Sequence, residues 1–164
     1  MSEITLFIIK CVDFRNTAYT SDFFIQKGNR LDYNKTTLTI MKKVICSQKA
    51  PGAIGPYSQA IEAGGMVFVS GQLPIDAATG VMAEGAEAQA RQSLENIKHI
   101  LEEAGLGMAN IVKTTVFLAD MSLFADMNKV YATYFDGAFP ARSAVAVKAL
   151  PKDALVEIEC IAVR

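Results

Sequence analysis

Ala86, Ala90, Leu94, Ile97, Leu101 and Ala104 recur at steps of three and four residues, so they share one face of a helix, and Gly105 follows as a natural C-terminal stop. A stripe of that kind has to be covered by another apolar layer. The end of the chain offers one. Period two divides residues 155–163 into an entirely apolar side, Val156, Ile158, Cys160 and Ala162, and an opposite side of Leu155, Glu157, Glu159, Ile161 and Val163. The first side is suited to packing under helices.

The remaining elements fit the same plan. KKVICS (42–47) is a short strand candidate, and SQAIEA, Gly64-Gly65 and MVFVS read as a hairpin whose paired glycines accept positive φ. Ser70-Gly71-Gln72-Leu73-Pro74 leaves that strand, and NIVKTTVFLAD (110–120) is a strand of β-branched and aromatic residues. Ser122 is placed to cap a second helix with Phe124, Met127, Val130, Tyr131 and Tyr134 on its core face, and Gly137 stops it. Two strands follow, around 141–149 and 155–163, joined through Pro151-Lys152-Asp153. The order β, β, β, α, β, α, β, β predicts an α+β fold, a mixed sheet with two amphipathic helices on one face.

Residues 1–40 differ from this pattern. They hold six of the fourteen aromatics but a single glycine and a single alanine. The spacing places a domain at 41–164, with 1–40 as a start-site artefact, a cloning-derived leader or an accessory segment. The alternative is an extra strand from Ile4 to Val12 paired to the sheet edge. Glu3 precedes this short apolar stretch where a secretory signal would carry positive charge.

A formal net charge of −1, with basic and acidic residues mixed along the chain, gives no general attraction to nucleic acid or anionic membrane. No apolar run approaches a membrane span. Cys11, Cys46 and Cys160 are odd in number, widely spaced and without a CxxC pair, which fits a reduced, cytoplasmic setting. His99, the one histidine, lies off the apolar face of its helix as a solvated residue, with no second ligand at metal-binding spacing.

Arg142 opens an otherwise apolar strand in FPARSAVAV (139–147), where Ser143, Val145 and Val147 oppose Arg142, Ala144, Ala146 and Lys148. Two readings stand. One is a register-fixing ion pair with Glu157 or Glu159 on the face away from the helices. The other is a guanidinium fork for a carboxylate ligand. A charged, half-apolar face of this kind also calls for cover by a second subunit. Tyr57 in IGPYSQ is either a packed loop aromatic or a pocket wall. Ser70-Gly71 is a turn or a ligand contact, and Asn128 a solvated helix residue or a ligand contact.

Taken jointly, the motifs resemble the Rid family, also called YjgF or L-PSP, and most closely its RidA-type 2-iminobutanoate/2-iminopropanoate deaminases. The resemblance rests on APGAIGPYSQAI (50–61), VFVSGQLP (67–74), QARQSLENIKHILEEAG (89–105), IVKTTVFLADM (111–121), FADMNKVYATYF (124–135) and FPARSAVAVKALPKDALVEIECIAVR (139–164). It implies a chorismate-mutase-like α+β fold assembled as a homotrimeric barrel, with sites in clefts between subunits. It implies hydrolysis of reactive enamines and imines, leaked by pyridoxal-phosphate enzymes, to 2-oxo acids and ammonia. It further implies that Arg142 grips the substrate carboxylate, that Glu157 sits beside the attacking water, and that Tyr57, Ser70, Gly71, Asn128 and Ala144 contribute to the substrate pocket. Ala144 stands where many relatives carry cysteine, so thiol chemistry is lost there while deamination is retained.

This chemistry needs no metal and no cofactor, because a protonated imine is already electrophilic; orientation, a positioned water and proton transfer suffice. Two other classes are an endoribonuclease or translation inhibitor, and a non-catalytic trimer binding small 2-oxo acids or acting as a chaperone. The first would want a basic stripe and an acid/base pair that a chain with one histidine lacks. The second would need the same Arg142.

Overall fold

The computed structural model describes the backbone of residues 7–11, 19–27 and 30–38, and residues 42–164 in full. The chain divides into two compact units, Met1–Met41 and Lys42–Arg164. In the first, β1 (Phe7–Cys11), β2 (Tyr19–Lys27) and β3 (Arg30–Leu38) form an antiparallel sheet of their own. The stretch read as one extra strand is therefore the first of a meander, paired to β2; Ile4 and Val12 lie outside the described residues.

The second unit follows the predicted element order. It comprises β4 (Lys43–Ile45), β5 (Ala60–Ala63), β6 (Met66–Gln72), α1 (Ala86–Glu103), β7 (Ile111–Leu118), α2 (Phe124–Tyr131), β8 (Ala141–Ala146) and β9 (Val156–Val163). The sheet order is β4-β5-β6-β9-β7-β8. Gly64 and Gly65 turn the β5–β6 hairpin with φ of 59° and 78°, values that glycine adopts without penalty. Strand β9 inserts antiparallel between β6 and β7, which are thereby parallel to each other, and β8 runs parallel to β7. A parallel neighbour requires a crossover, and α1 and α2 provide two. Both step in the same direction from strands of the same polarity, so a common hand puts both helices on one face. That is the physical origin of the mixed sheet.

Leu94, Ile97 and Leu101 of α1 and Met127 of α2 are fully buried together with Val67, Val116, Val156 and Ile158 of the sheet. Val156, Ile158, Cys160 and Ala162 form the inner face of β9, as period two requires. The outer face carries Glu157, Glu159 and Ile161 with exposed Met66, Phe68 and Val145.

Several local features differ from the sequence reading. Asp120, not Ser122, supplies the cap before α2: its carboxylate accepts from Ser122 N at 2.8 Å, and the chain makes a 3₁₀ turn before the helix starts. Helix α2 ends at Tyr131 and passes into another 3₁₀ turn over 132–134, so Gly137 lies in the loop beyond it. His99 is half-buried, its Nδ1 3.0 Å from Lys49 O, and it ties α1 to the loop before β5 rather than standing in water. Strand β8 is shorter than 141–149, stopping at Ala146.

The largest correction concerns Arg142. Thr114 of β7 pairs with both Cys160 and Arg142, and Val116 with both Ile158 and Ala144. Laterally paired residues project to the same side of a sheet. Arg142 therefore lies on the helix side with Ala144, while Glu157 and Glu159 lie on the other, and neither glutamate forms an ion pair with it.

Candidate active site

Glu157 stands on the outer face of β9, one residue in from the strand's start. Its start is fixed from within the core. Gln89 of α1, itself buried, accepts from Leu155 N at 2.7 Å and from Val156 N at 3.3 Å, and donates to Ala83 O at 2.9 Å. Asn96, one helical stripe further, donates to Leu73 O and Ile75 O, both at 3.0 Å. One helix thus anchors both the strand that presents Glu157 and the segment following β6.

Around Glu157 lies an open cleft of about 410 Å³ whose walls include Tyr57, Ser70, Gly71, Leu73 and Pro151. Gln59 shapes its floor. Its side-chain amide accepts from Ser47 N and donates to Ser47 O, Ala50 O and Pro51 O, pinning the loop that carries Tyr57. The Ser70 hydroxyl donates to Ser58 O at 2.7 Å, so its proton is spent on that loop and its lone pairs remain open. Tyr57 is half-exposed at the rim. Burial, with a smaller contribution from Glu159, raises the Glu157 carboxyl above the ordinary carboxylate range.

A second cleft, of about 290 Å³, opens on the helix side between Asn128, Tyr131, Ala132, Phe139, Pro140 and Arg142. Arg142 Nη2 donates to Asn128 Oδ1 at 2.8 Å. The guanidinium carbon stands 4.5 Å from the Tyr131 ring centroid and 5.5 Å from that of Phe124. Tyr131 is itself locked, its hydroxyl 2.7 Å from Thr114 Oγ1 in the core. The arginine is therefore stacked and hydrogen-bonded on α2, with its remaining N–H groups unengaged by any carboxylate among the described residues.

The expected residues thus fall into two groups. Tyr57, Ser70, Gly71 and Glu157 share the first cleft; Asn128 and Arg142 share the second; Ala144 lines neither and packs at the edge of the core. Glu157 pairs with Phe117 and Phe117 with Val145, three residues along β8 from Arg142. Two strand spacings and three residue rises separate their backbones by roughly 14 Å, with the side chains on opposite faces. A small molecule cannot touch both groups in one chain.

Sequence reasoning missed the aromatic bed of Arg142. Phe124 and Tyr131 do belong to the core face, as expected, and their i, i+7 spacing with Asn128 between them also puts all three on the side of α2 that meets Arg142. It also missed Gln89, Ser93 and Asn96, buried polar residues at helical spacing inside the apolar stripe. Among the described residues no group of His, Cys, Asp and Glu is placed to hold a metal ion, and no helix is long and apolar enough to cross a membrane.

Comparison with known proteins returns one consistent set. The family model described as Endoribonuclease L-PSP matches residues 47–164. A Salmonella typhimurium protein named 2-iminobutanoate/2-iminopropanoate deaminase is 54 % identical over 127 residues, covering 76 % of this chain and 99 % of the relative. A RutC family protein of Pyrococcus horikoshii is 56 % identical over 123 residues, covering 74 % and 98 %. Among solved structures, E. coli TdcF with bound serine superposes with a TM-score of 0.72 at 50 % identity, over 74 % of this chain and 98 % of that one. The E. coli YjgF gene product matches with the same TM-score, identity and coverage.

Proposed function

We propose, from the premise that the chain belongs to the Endoribonuclease L-PSP family, the group also called Rid or YjgF, that it is a deaminase of reactive imines. It hydrolyses 2-iminobutanoate and 2-iminopropanoate to the 2-oxo acids and ammonia, and the activity resides in residues 41–164. The observation that carries the mechanism is the division of the site. An arginine fork with unengaged N–H groups and a desolvated carboxylate occupy separate clefts on opposite faces of one sheet.

The two clefts become one site when copies associate, with Arg142 of one subunit meeting Glu157 of the next. The apolar outer face, with Met66, Phe68 and Val145 exposed beside Glu157 and Glu159, supports such association. We assign a homotrimer, as expected from the family resemblance. Arg142 takes the substrate carboxylate in two parallel N–H···O bonds and turns the iminium carbon toward Glu157. Glu157 accepts a proton from water as its oxygen bonds to that carbon, giving a carbinolamine. The carboxyl then returns the proton to the amino nitrogen, the C–N bond breaks, and the hydroxyl proton passes out as the 2-oxo acid forms. Iminium and water thus become ketone and ammonium. A carboxyl whose pKa is raised by burial is suited to returning the proton it has accepted. Tyr57 and Ser70 close the pocket around the reacting end.

The class of enzyme that supplies the substrate is a pyridoxal-phosphate eliminase, and the setting is the cytoplasm. The endoribonuclease in the family name receives no support from the clefts: the one histidine is bonded to Lys49 O, and neither cleft contains it. The test couples threonine dehydratase to the purified protein and follows 2-oxobutanoate while a scavenger competes for the imine. Wild type accelerates release and Arg142→Ala does not. Equal rates with both would remove the proposal.

A further inference from the structure

We infer that Gly71 is a positioning residue whose missing side chain is the seat of the Glu157 carboxylate. The inference rests on the reading of Glu157 as the proton-transfer group. Between Val69 and Gln72 the register of β6 against β9 slips: Val69 pairs with Cys160 and Gln72 with Ile158, three steps on one strand against two on the other. Ser70 and Gly71 form this bulge, and a bulge re-aims what stands beside it. A Cβ built on Gly71 falls on Glu157 Oε1, 2.9 Å from Cδ and 3.2 Å from Cγ of the same side chain.

Two facts separate this from an ordinary turn glycine. Gly71 is not among the residues with positive φ, so its backbone is open to any amino acid and only the space demands glycine. Among the described residues, the Glu157 carboxylate also makes no hydrogen bond within the chain, so no partner fixes its place. What leaves room for it over the strand is the open side of Gly71. The atoms that would have to give way are the far end of a side chain. A methyl at 71 therefore displaces the carboxylate and leaves the backbone as it is.

The test is a cycle of Gly71→Ala and Glu157→Asp, read by kinetics and by carboxyl-detected NMR titration of residue 157. Gly71→Ala should fold and keep KM within about threefold of wild type while kcat falls on the order of 10²-fold, the low end of what a positioned base contributes. The titration midpoint of Glu157 should move down toward the ordinary carboxylate range as the group swings into water. In the Glu157→Asp background, where the shorter side chain clears the new methyl, Gly71→Ala should change kcat by less than about threefold. The same loss in both backgrounds would overturn the inference, as would an unmoved titration whatever the kcat. A moved titration with unchanged kcat would uphold the seat and remove Glu157 from the reaction. Should Gly71→Ala fail to fold, restoration in the double variant supports the seat and continued failure refutes it.

Discussion

Replacing Arg142 with lysine keeps the charge and removes the fork, which makes it the sharpest single substitution on the substrate-binding side. In the native arrangement one N–H goes to Asn128 Oδ1 at 2.8 Å, and the ring stack on Tyr131 at 4.5 Å fixes the guanidinium plane. The remaining donors lie in that plane, pre-aligned for a carboxylate. Lysine keeps a point charge on a flexible stem. It forfeits one charge-assisted hydrogen bond, about 1.5–3 kcal/mol, and stacking of about 0.5–2 kcal/mol. These overlap, since the stack orients the bond. A net loss of about 2–3 kcal/mol gives a rise in KM of roughly 30- to 150-fold. Steady-state kinetics on enzymatically generated imine, at several scavenger concentrations, separates KM from kcat. A KM within threefold of wild type, or a loss confined to kcat, would refute the carboxylate-clamp argument.

Other variants follow from the same geometry. Glu157→Gln should abolish the acid limb of the kcat/KM profile; in wild type that limb lies above the ordinary carboxylate range, with activity falling as pH drops through the raised pKa. Because burial favours the protonated form, the native state holds that proton more tightly than the unfolded chain, so ionisation weakens the fold as pH rises. Glu157→Gln should then melt higher than wild type at neutral pH and match it below the carboxylate range, by calorimetry. Tyr131→Phe keeps the ring under Arg142 and strands the buried Thr114 hydroxyl, so KM should hold while Tm falls by roughly 3–6 °C. Gln89→Ala leaves Leu155 N and Val156 N without a partner at the start of β9, with a Tm loss of about 4–8 °C. Ala144→Cys introduces a thiol at the edge of the core and should leave the deaminase rate within about twofold, because residue 144 lines neither cleft.

The fold was largely legible because its signals are local. Helical spacing in α1, the Gly64-Gly65 turn and the alternation of β9 each specify an element from neighbouring residues. What escaped was the relation between strands. Period two separates Arg142 from Ser143 within β8 and Glu157 from Val156 within β9, yet it cannot say which side of one strand shares a face with which side of the other. That depends on register, and here Thr114 and Phe117 of β7 carry it: Thr114 joins Arg142 to the inner face and Phe117 joins Glu157 to the outer. The residues implied by the family resemblance gather into clefts, apart from Ala144, but into two clefts rather than one. Gln89 and Asn96 were hidden for another reason: polar residues within an apolar stripe signal internal hydrogen bonding only once their backbone partners, distant in sequence, are known.

The division of the site between copies is the central claim, and subunit mixing tests it directly. Arg142→Ala supplies only an intact Glu157 cleft, and Glu157→Gln only an intact Arg142 cleft. Each homo-oligomer should keep only a small residual fraction of wild-type activity, on the order of 1 % or less. Dissociated, mixed in equal amounts and reassembled at random, they should recover about one quarter of wild-type activity, since a site works when each neighbour contributes its intact half. No recovery after verified subunit exchange would mean that Arg142 and Glu157 act within a single chain, and would contradict the account.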